Sequence, residues 1–188
     1  MSFGKMLLAA ACDAVAAHDS QKRQNSKLPF VLHPLHVGAL LIDVPLPAEI
    51  SREDCVLAGI LHHLLEDTPT LSEKIRKDFG AGVARIIGEL TRDQSLPVKE
   101  ARQSLVDHCG GLSKEAKAVR LADRLDNLRD LKSMAPAYMK QYCDETRSML
   151  EQMRGACPEL EDKIERLLKF YAAQAPAEHV KTLRLPKA

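Results

Sequence analysis

Apolar residues recur with a helical period along most of the chain. Val83, Ile86, Ile87 and Leu90 follow the i, i+3, i+4, i+7 pattern of one helix face. Leu57, Ile60, Leu61 and Leu64 form another such face, as do Ala118, Leu121, Ala122 and Leu125. Leu160, Ile164, Leu167, Leu168 and Tyr171 form a further one, and Pro158 stands where a first helical turn tolerates proline. β-branched residues are sparse and no run alternates apolar with polar positions, so strands are not expected. Only His179 to Leu185 could pass for a short strand, and it reads equally well as a tail. Breakers fall between the periodic segments, at Gln21–Pro29, Pro45–Pro47, Thr68–Thr70, Gly80–Gly82, Ser95–Pro97, Gly110–Gly111, Ala135–Pro136 and Cys157–Pro158. The spacing predicts about eight or nine helices of ordinary length with short connections. No composition shift or internal repeat divides the chain. The expected architecture is one all-α domain over residues 1–175, followed by a basic, proline-containing tail at 176–188.

Composition narrows the function classes. With 45% hydrophobic residues among 188, the chain can bury a real core and is not disordered throughout. Lys plus Arg (27) nearly balance Asp plus Glu (26), and a net charge of +1 offers no electrostatic footprint for nucleic acid or an anionic membrane. No apolar run approaches the roughly 18 residues of a membrane span. Met6 to Ala17 is rich in leucine and alanine but is interrupted by Asp13, and reads as a helix, not a signal peptide. Cys12, Cys55, Cys109, Cys143 and Cys157 are odd in number and lack close pairing, which points to reduced thiols and a cytoplasmic location.

Three expected helices carry polar groups on the flank of apolar stripes. The first begins at His33-Pro34. The second runs from Gly59 to Thr68 and contains His62, His63, Glu66 and Asp67. This segment is expected to be one helix, with His62 and Glu66 four apart on one row and His63 and Asp67 on the adjacent row. Two imidazoles beside two carboxylates suit a divalent metal with an acid/base pair. On the third segment, Asp123 and Asn127 also share a row, as a metal ligand beside a substrate clamp would. Each motif alone has an ordinary reading as a solvated face, an ion-paired face or a core histidine. Their co-occurrence and order carry more weight.

That order resembles the HD superfamily of metal-dependent phosphohydrolases. More closely it resembles the hydrolase domain of the RelA/SpoT family and its small stand-alone alarmone hydrolases, the Mesh1-like group. The similarity runs from about Leu8 to Met134. Ala10 to Arg23 is similar to the family's opening helix, with His18 in its usual place. Pro29-Phe30-Val31-Leu32-His33-Pro34 resembles Pro-Tyr-x-x-His-Pro. Ala58 to Thr68 resembles the helix with His-Asp and then Glu-Asp-Thr. Glu73 to Asp93 resembles the family's helix, Phe-Gly and second helix, and Leu121 to Arg129 resembles Leu-Ala-Asp-Arg/Lys-Leu-x-Asn-Leu/Met-Arg. The resemblance implies metal ligation by His33, His62, His63 and Asp123, a catalytic pair in Glu66 and Asp67, and substrate contacts from Lys22, Arg23 and Asn127. It implies hydrolysis of the 3′-pyrophosphate of guanosine alarmones, usually with Mn²⁺. The partner would be a small-molecule nucleotide, with homo-oligomerisation left open. Alarmone synthesis is not expected, since the chain has no length for a synthetase domain.

The chain departs from the family pattern at four places. Position 63 holds histidine where the family has aspartate. One carboxylate ligand in place of two leaves a net positive charge on a bound divalent ion, and imidazole-rich ligation favours Zn²⁺, Co²⁺, Ni²⁺ or Fe²⁺ over Mn²⁺. Alternatively, His63 points away and the site is metal-free. Phe30 replaces a tyrosine, Ser26-Lys27-Leu28 lacks the usual glycine before Pro29, and Asp126 replaces an aromatic residue or histidine. Asp126 is expected to add negative charge near the polyphosphate. Two other readings stay open: a phosphohydrolase for another nucleotide, such as a 2′-phosphorylated dinucleotide or a nucleoside monophosphate, and a metal-free nucleotide-binding module.

Overall fold

The helical faces predicted from periodicity lie on α-helices in the computed structural model, which describes residues 1–24, 26–64, 71–93 and 95–174, except that Leu64 falls beyond the helix that carries Leu57, Ile60 and Leu61. Among the described residues there are nine: α1 (Phe3–Ala17), α2 (Leu32–Asp43), α3 (Arg52–Leu61), α4 (Leu71–Phe79), α5 (Ala81–Leu90), α6 (Val98–His108), α7 (Lys114–Asp130), α8 (Pro136–Gln152) and α9 (Pro158–Gln174). Short 3₁₀ turns at Cys109–Gly111 and Leu131–Ser133 extend α6 and α7. The tail at 176–188, with the strand-like His179 to Leu185, lies outside the described residues. So do Glu66 and Asp67. Among the described residues no helix is long and apolar enough to cross a membrane.

Local chemistry explains the helix ends. Ser51 caps α3 by accepting from the Asp54 amide, and Ser113 caps α7 by accepting from the Ala116 amide. Acidic Glu53, Asp54 and Glu115 stand in those first turns, where the helix dipole favours them. At the end of α2, Arg52 Nη1 donates to the carbonyls of Leu41, Ile42 and Val44. It satisfies acceptors that a helix terminus leaves open.

Helix α7 is the axis of the fold, packed by α2, α3, α5 and α9. Its buried residues include Leu121, Ala122, Leu125 and Leu128, and also Asp123, Arg124 and Asp126. The sequence reading placed these charges on the flank of an apolar stripe; they lie inside because α7 is covered on several sides.

Helices α2 and α3 cross closely because each presents a glycine to the other. A Cβ on Gly38 would stand 2.6 Å from Ile60 Cγ1, and one on Gly59 would stand 2.8 Å from Leu41 Cδ1. This approach brings His33, on α2, beside His62 at the end of α3. Gly38→Ala is therefore expected to destabilise the fold. Alanine gains up to about 1 kcal/mol in helix propensity. Overpacking against buried, χ1-restricted Ile60 costs about 1–3 kcal/mol. A net loss of about 1–2 kcal/mol should appear as a lowered urea midpoint at unchanged m-value.

Candidate metal centre and nucleotide cleft

Four predicted ligands converge. His33, His62, His63 and Asp123 each offer a ligand atom, and these atoms lie within 4.8 Å of one another. His33 comes from the first turn of α2 and Asp123 from the middle of α7. The α3 helix ends at Leu61, so His62 and His63 stand in the turn that follows, with His62 keeping helical dihedrals. This corrects the reading of a helix running unbroken from Gly59 through His62 and His63; residues 65–70 lie outside the described residues. The reason is local: His62 Nδ1 donates to the Gly59 carbonyl at 2.8 Å, a side-chain bond at the carbonyl where the backbone ladder stops. His63 turns into the cluster, with its ring 4.0 Å from that of His62 and 5.3 Å from that of His33. The alternative in which it points away is not observed.

The remaining bonds orient these ligands. With its Nδ1 proton on Gly59, His62 presents Nε2, which is buried, has no hydrogen-bond partner and faces Asp123 Oδ1 at 3.9 Å. His33 Nδ1 donates to Asp126 Oδ2 at 2.7 Å, while its Nε2 lies 3.2 Å from Asp123 Oδ1. Asn127 Nδ2 donates to Asp123 Oδ1 at 2.8 Å, and Arg120 Nη1 donates to Asp123 Oδ2 at 3.2 Å. Arg120 also donates to the Leu90 carbonyl, tying the end of α5 to α7.

Electrostatics follow the geometry. Burial alone would raise the Asp123 pKa, but His33 within bonding distance, the nearby His62 imidazole and the charge of Arg120 hold it well below the usual carboxylate range. Burial alone would lower the His33 pKa, but Asp123 and Asp126 raise it above the ordinary value. An inward-facing imidazole nitrogen without a hydrogen-bond partner, two more imidazoles and one ionised carboxylate are a donor set that fits a divalent ion.

A cleft of about 160 Å³ lies alongside, lined by residues including Arg23, Phe30, Asn127, Tyr138 and Tyr142. Phe30 links the two features: its ring packs against His18, His33 and His63. His18 is buried beside the site, with Nδ1 3.0 Å from Gln21 Oε1. The connection carrying Arg23 is held by Arg23 N to the Leu28 carbonyl and Phe30 N to the Gln21 carbonyl. Arg23 and Asn127 thus reach the cleft, whereas Lys22 is exposed and does not line it.

Asp126 differs from the expectation. It is buried and faces His33, Arg23 and His36, with its charge paired to the Arg23 guanidinium. His36 touches the same carboxylate from an exposed position. Sequence reasoning missed the orienting role of Arg120, and its only signal was a basic residue one turn before Asp123.

Comparison with known proteins gives the family of the chain. Residues 9–157 match the family model described as HD domain. The chain is 33% identical over 168 residues to a Danio rerio guanosine-3′,5′-bis(diphosphate) 3′-pyrophosphohydrolase MESH1, covering 86% of this chain and 92% of that protein. The Homo sapiens protein of the same name is 32% identical over 169 residues, covering 87% and 93%. A solved structure described as a metazoan ortholog of SpoT that hydrolyzes ppGpp superimposes with a TM-score of 0.78 at 28% identity, covering 88% of this chain and 94% of that one. The buried histidine–aspartate cluster and a similarity spanning nearly the whole of these relatives agree: the chain belongs to the HD-domain family, among the guanosine-3′,5′-bis(diphosphate) 3′-pyrophosphohydrolases of MESH1 type.

Proposed function

We propose that this protein is a metal-dependent hydrolase that removes the 3′-pyrophosphate of guanosine alarmones. The observation that carries the reading is the convergence of His33, His62, His63 and Asp123 next to a cleft lined by Arg23 and Asn127. A bound divalent ion would lower the pKa of water and polarise a phosphoryl oxygen. The chain's own residues do the rest. Asp123 and the three imidazoles hold the ion, with Arg120 and Asn127 fixing the carboxylate. Glu66 and Asp67 orient the attacking water and take its proton. Arg23 and Asn127 position the nucleotide, and Lys22 approaches from the exposed side of the same connection.

Three imidazoles and one carboxylate favour Co²⁺, Zn²⁺, Ni²⁺ or Fe²⁺ over the Mn²⁺ expected from the family pattern. The inward-facing His63 supports a metal-binding enzyme over a metal-free binding module. Five free thiols, four of them buried, accord with a reducing, cytoplasmic location.

The test is turnover of guanosine-3′,5′-bis(diphosphate) by chelator-treated protein supplied with Mn²⁺, Co²⁺, Zn²⁺, Ni²⁺ or Fe²⁺ in turn. The expected result is release of pyrophosphate and guanosine 5′-diphosphate, absent without metal and faster with one of the latter four ions than with Mn²⁺. No turnover with any ion, alongside hydrolysis of a 2′-phosphorylated dinucleotide or a nucleoside monophosphate, would move the substrate assignment to those nucleotides.

A further inference from the structure

We infer that Asp126 is a positioning residue whose carboxylate fixes His33 for metal ligation while tethering Arg23 at the cleft. The inference rests on the metal centre proposed above.

Asp126 lies three residues after Asp123 on α7, and so on the same side of that helix. Both of its oxygens are engaged by groups from other elements. Oδ2 accepts from His33 Nδ1 at 2.7 Å and pairs with Arg23 Nη2 at 3.1 Å. Oδ1 lies 3.2 Å from His36 Nδ1. His33 and Asp126 are 1% and 3% exposed, so their bond is shielded from water. Arg23 is held a second time by Nε to Asp130 Oδ2 at 2.8 Å, one turn further along α7.

This arrangement does two things. A carboxylate on Nδ1 sets the ring plane and tautomer of His33 and makes Nε2 a stronger donor toward a metal. The cluster itself contains one carboxylate among four ligands, so Asp126 supplies a second negative charge one side chain away. A buried carboxylate is weak evidence for stability as such, because desolvation offsets much of the Coulomb gain. Its bond to a ligand histidine gives it a function that an apolar residue could not perform.

Asp126→Asn and Asp130→Asn separate this role from other effects. Both remove one negative charge and one tether of Arg23, but only the first touches His33. The probe is Co²⁺ alone, titrated into the metal-free full chain against a competing chelator, with visible absorption recorded. Asp126→Asn is expected to weaken Co²⁺ binding about 10- to 100-fold and change the ligand-field bands. Asp130→Asn should bind within about two-fold of wild type with the same bands. Wild-type protein loaded with Zn²⁺ and labelled with ¹⁵N-histidine gives a readout independent of variant folding. There His33 should ligate through Nε2 and keep a proton on Nδ1. Unchanged Co²⁺ binding in Asp126→Asn, an equal loss in both variants, or ligation through Nδ1 overturns the inference and leaves the metal centre standing. Absence of Co²⁺ and Zn²⁺ binding by wild type overturns the metal centre and this inference with it.

Discussion

Asp123→Asn is expected to lower alarmone hydrolysis by at least about 10³-fold and to reduce metal content from about one ion per chain to near zero. Asp123 is the only carboxylate among the four clustered ligands. Asparagine keeps the volume but not the charge, and it places an amide where donors already crowd. Oδ1 accepts from Asn127 and faces both imidazoles, while Oδ2 accepts from Arg120. Either orientation of the new amide aims an NH₂ group at one of these donors. The metal-free variant should therefore also lose stability, by about 1–3 kcal/mol, as a buried donor goes unmatched. Elemental analysis of the purified variant, with circular dichroism to establish folding, separates the outcomes. A folded variant that keeps stoichiometric metal would remove Asp123 from the ligand set. One that loses metal while retaining turnover would remove the metal from the chemistry.

The sequence showed this part of the site for a definite reason. His33, His62, His63 and Asp123 stand in short motifs whose order is legible in one dimension. Helix faces were legible too: Val83, Ile86, Ile87 and Leu90 are buried, as their period requires. The contacts that orient the ligands were not legible, because they join distant parts of the chain. His33 and Asp126 are 93 residues apart, and a charge on α7 beside a nucleotide motif suggested the polyphosphate as its neighbour. The packing of α7 on several sides turned Asp126 inward, toward two histidines and an arginine. The end of α3 was hidden for a similar reason. Apolar periodicity continues through Leu64, while the hydrogen bond from His62 to Gly59 marks the helix end two residues after that glycine. Close crossing of α2 and α3 depends on Gly38 and Gly59, which carry no apolar signal of their own.

Glu66→Gln is the variant that separates chemistry from metal binding. On the reading proposed above, Glu66 and Asp67 act on the attacking water and do not hold the ion. Glutamine keeps the size of glutamate and can still hydrogen-bond a water, but it cannot accept the proton. The expected result is a fall in kcat of about 10²–10⁴-fold, the range for loss of a general base. Metal content and KM should stay close to wild type, in contrast to Asp123→Asn. Asp67→Asn should behave similarly if the two carboxylates work as a unit. The double variant should then fall little below the worse single variant, since residues acting in one step are not additive in their losses. Multiplied losses in the double variant would instead assign them separate steps, with one carboxylate on the water and the other on the leaving pyrophosphate. Turnover of Glu66→Gln within about ten-fold of wild type would leave Glu66 without a proton-transfer role, because a factor that small is below the range for a lost base. Loss of metal with activity would place Glu66 in the coordination shell instead, making a five-ligand centre in which Glu66 supplies the carboxylate missing at position 63.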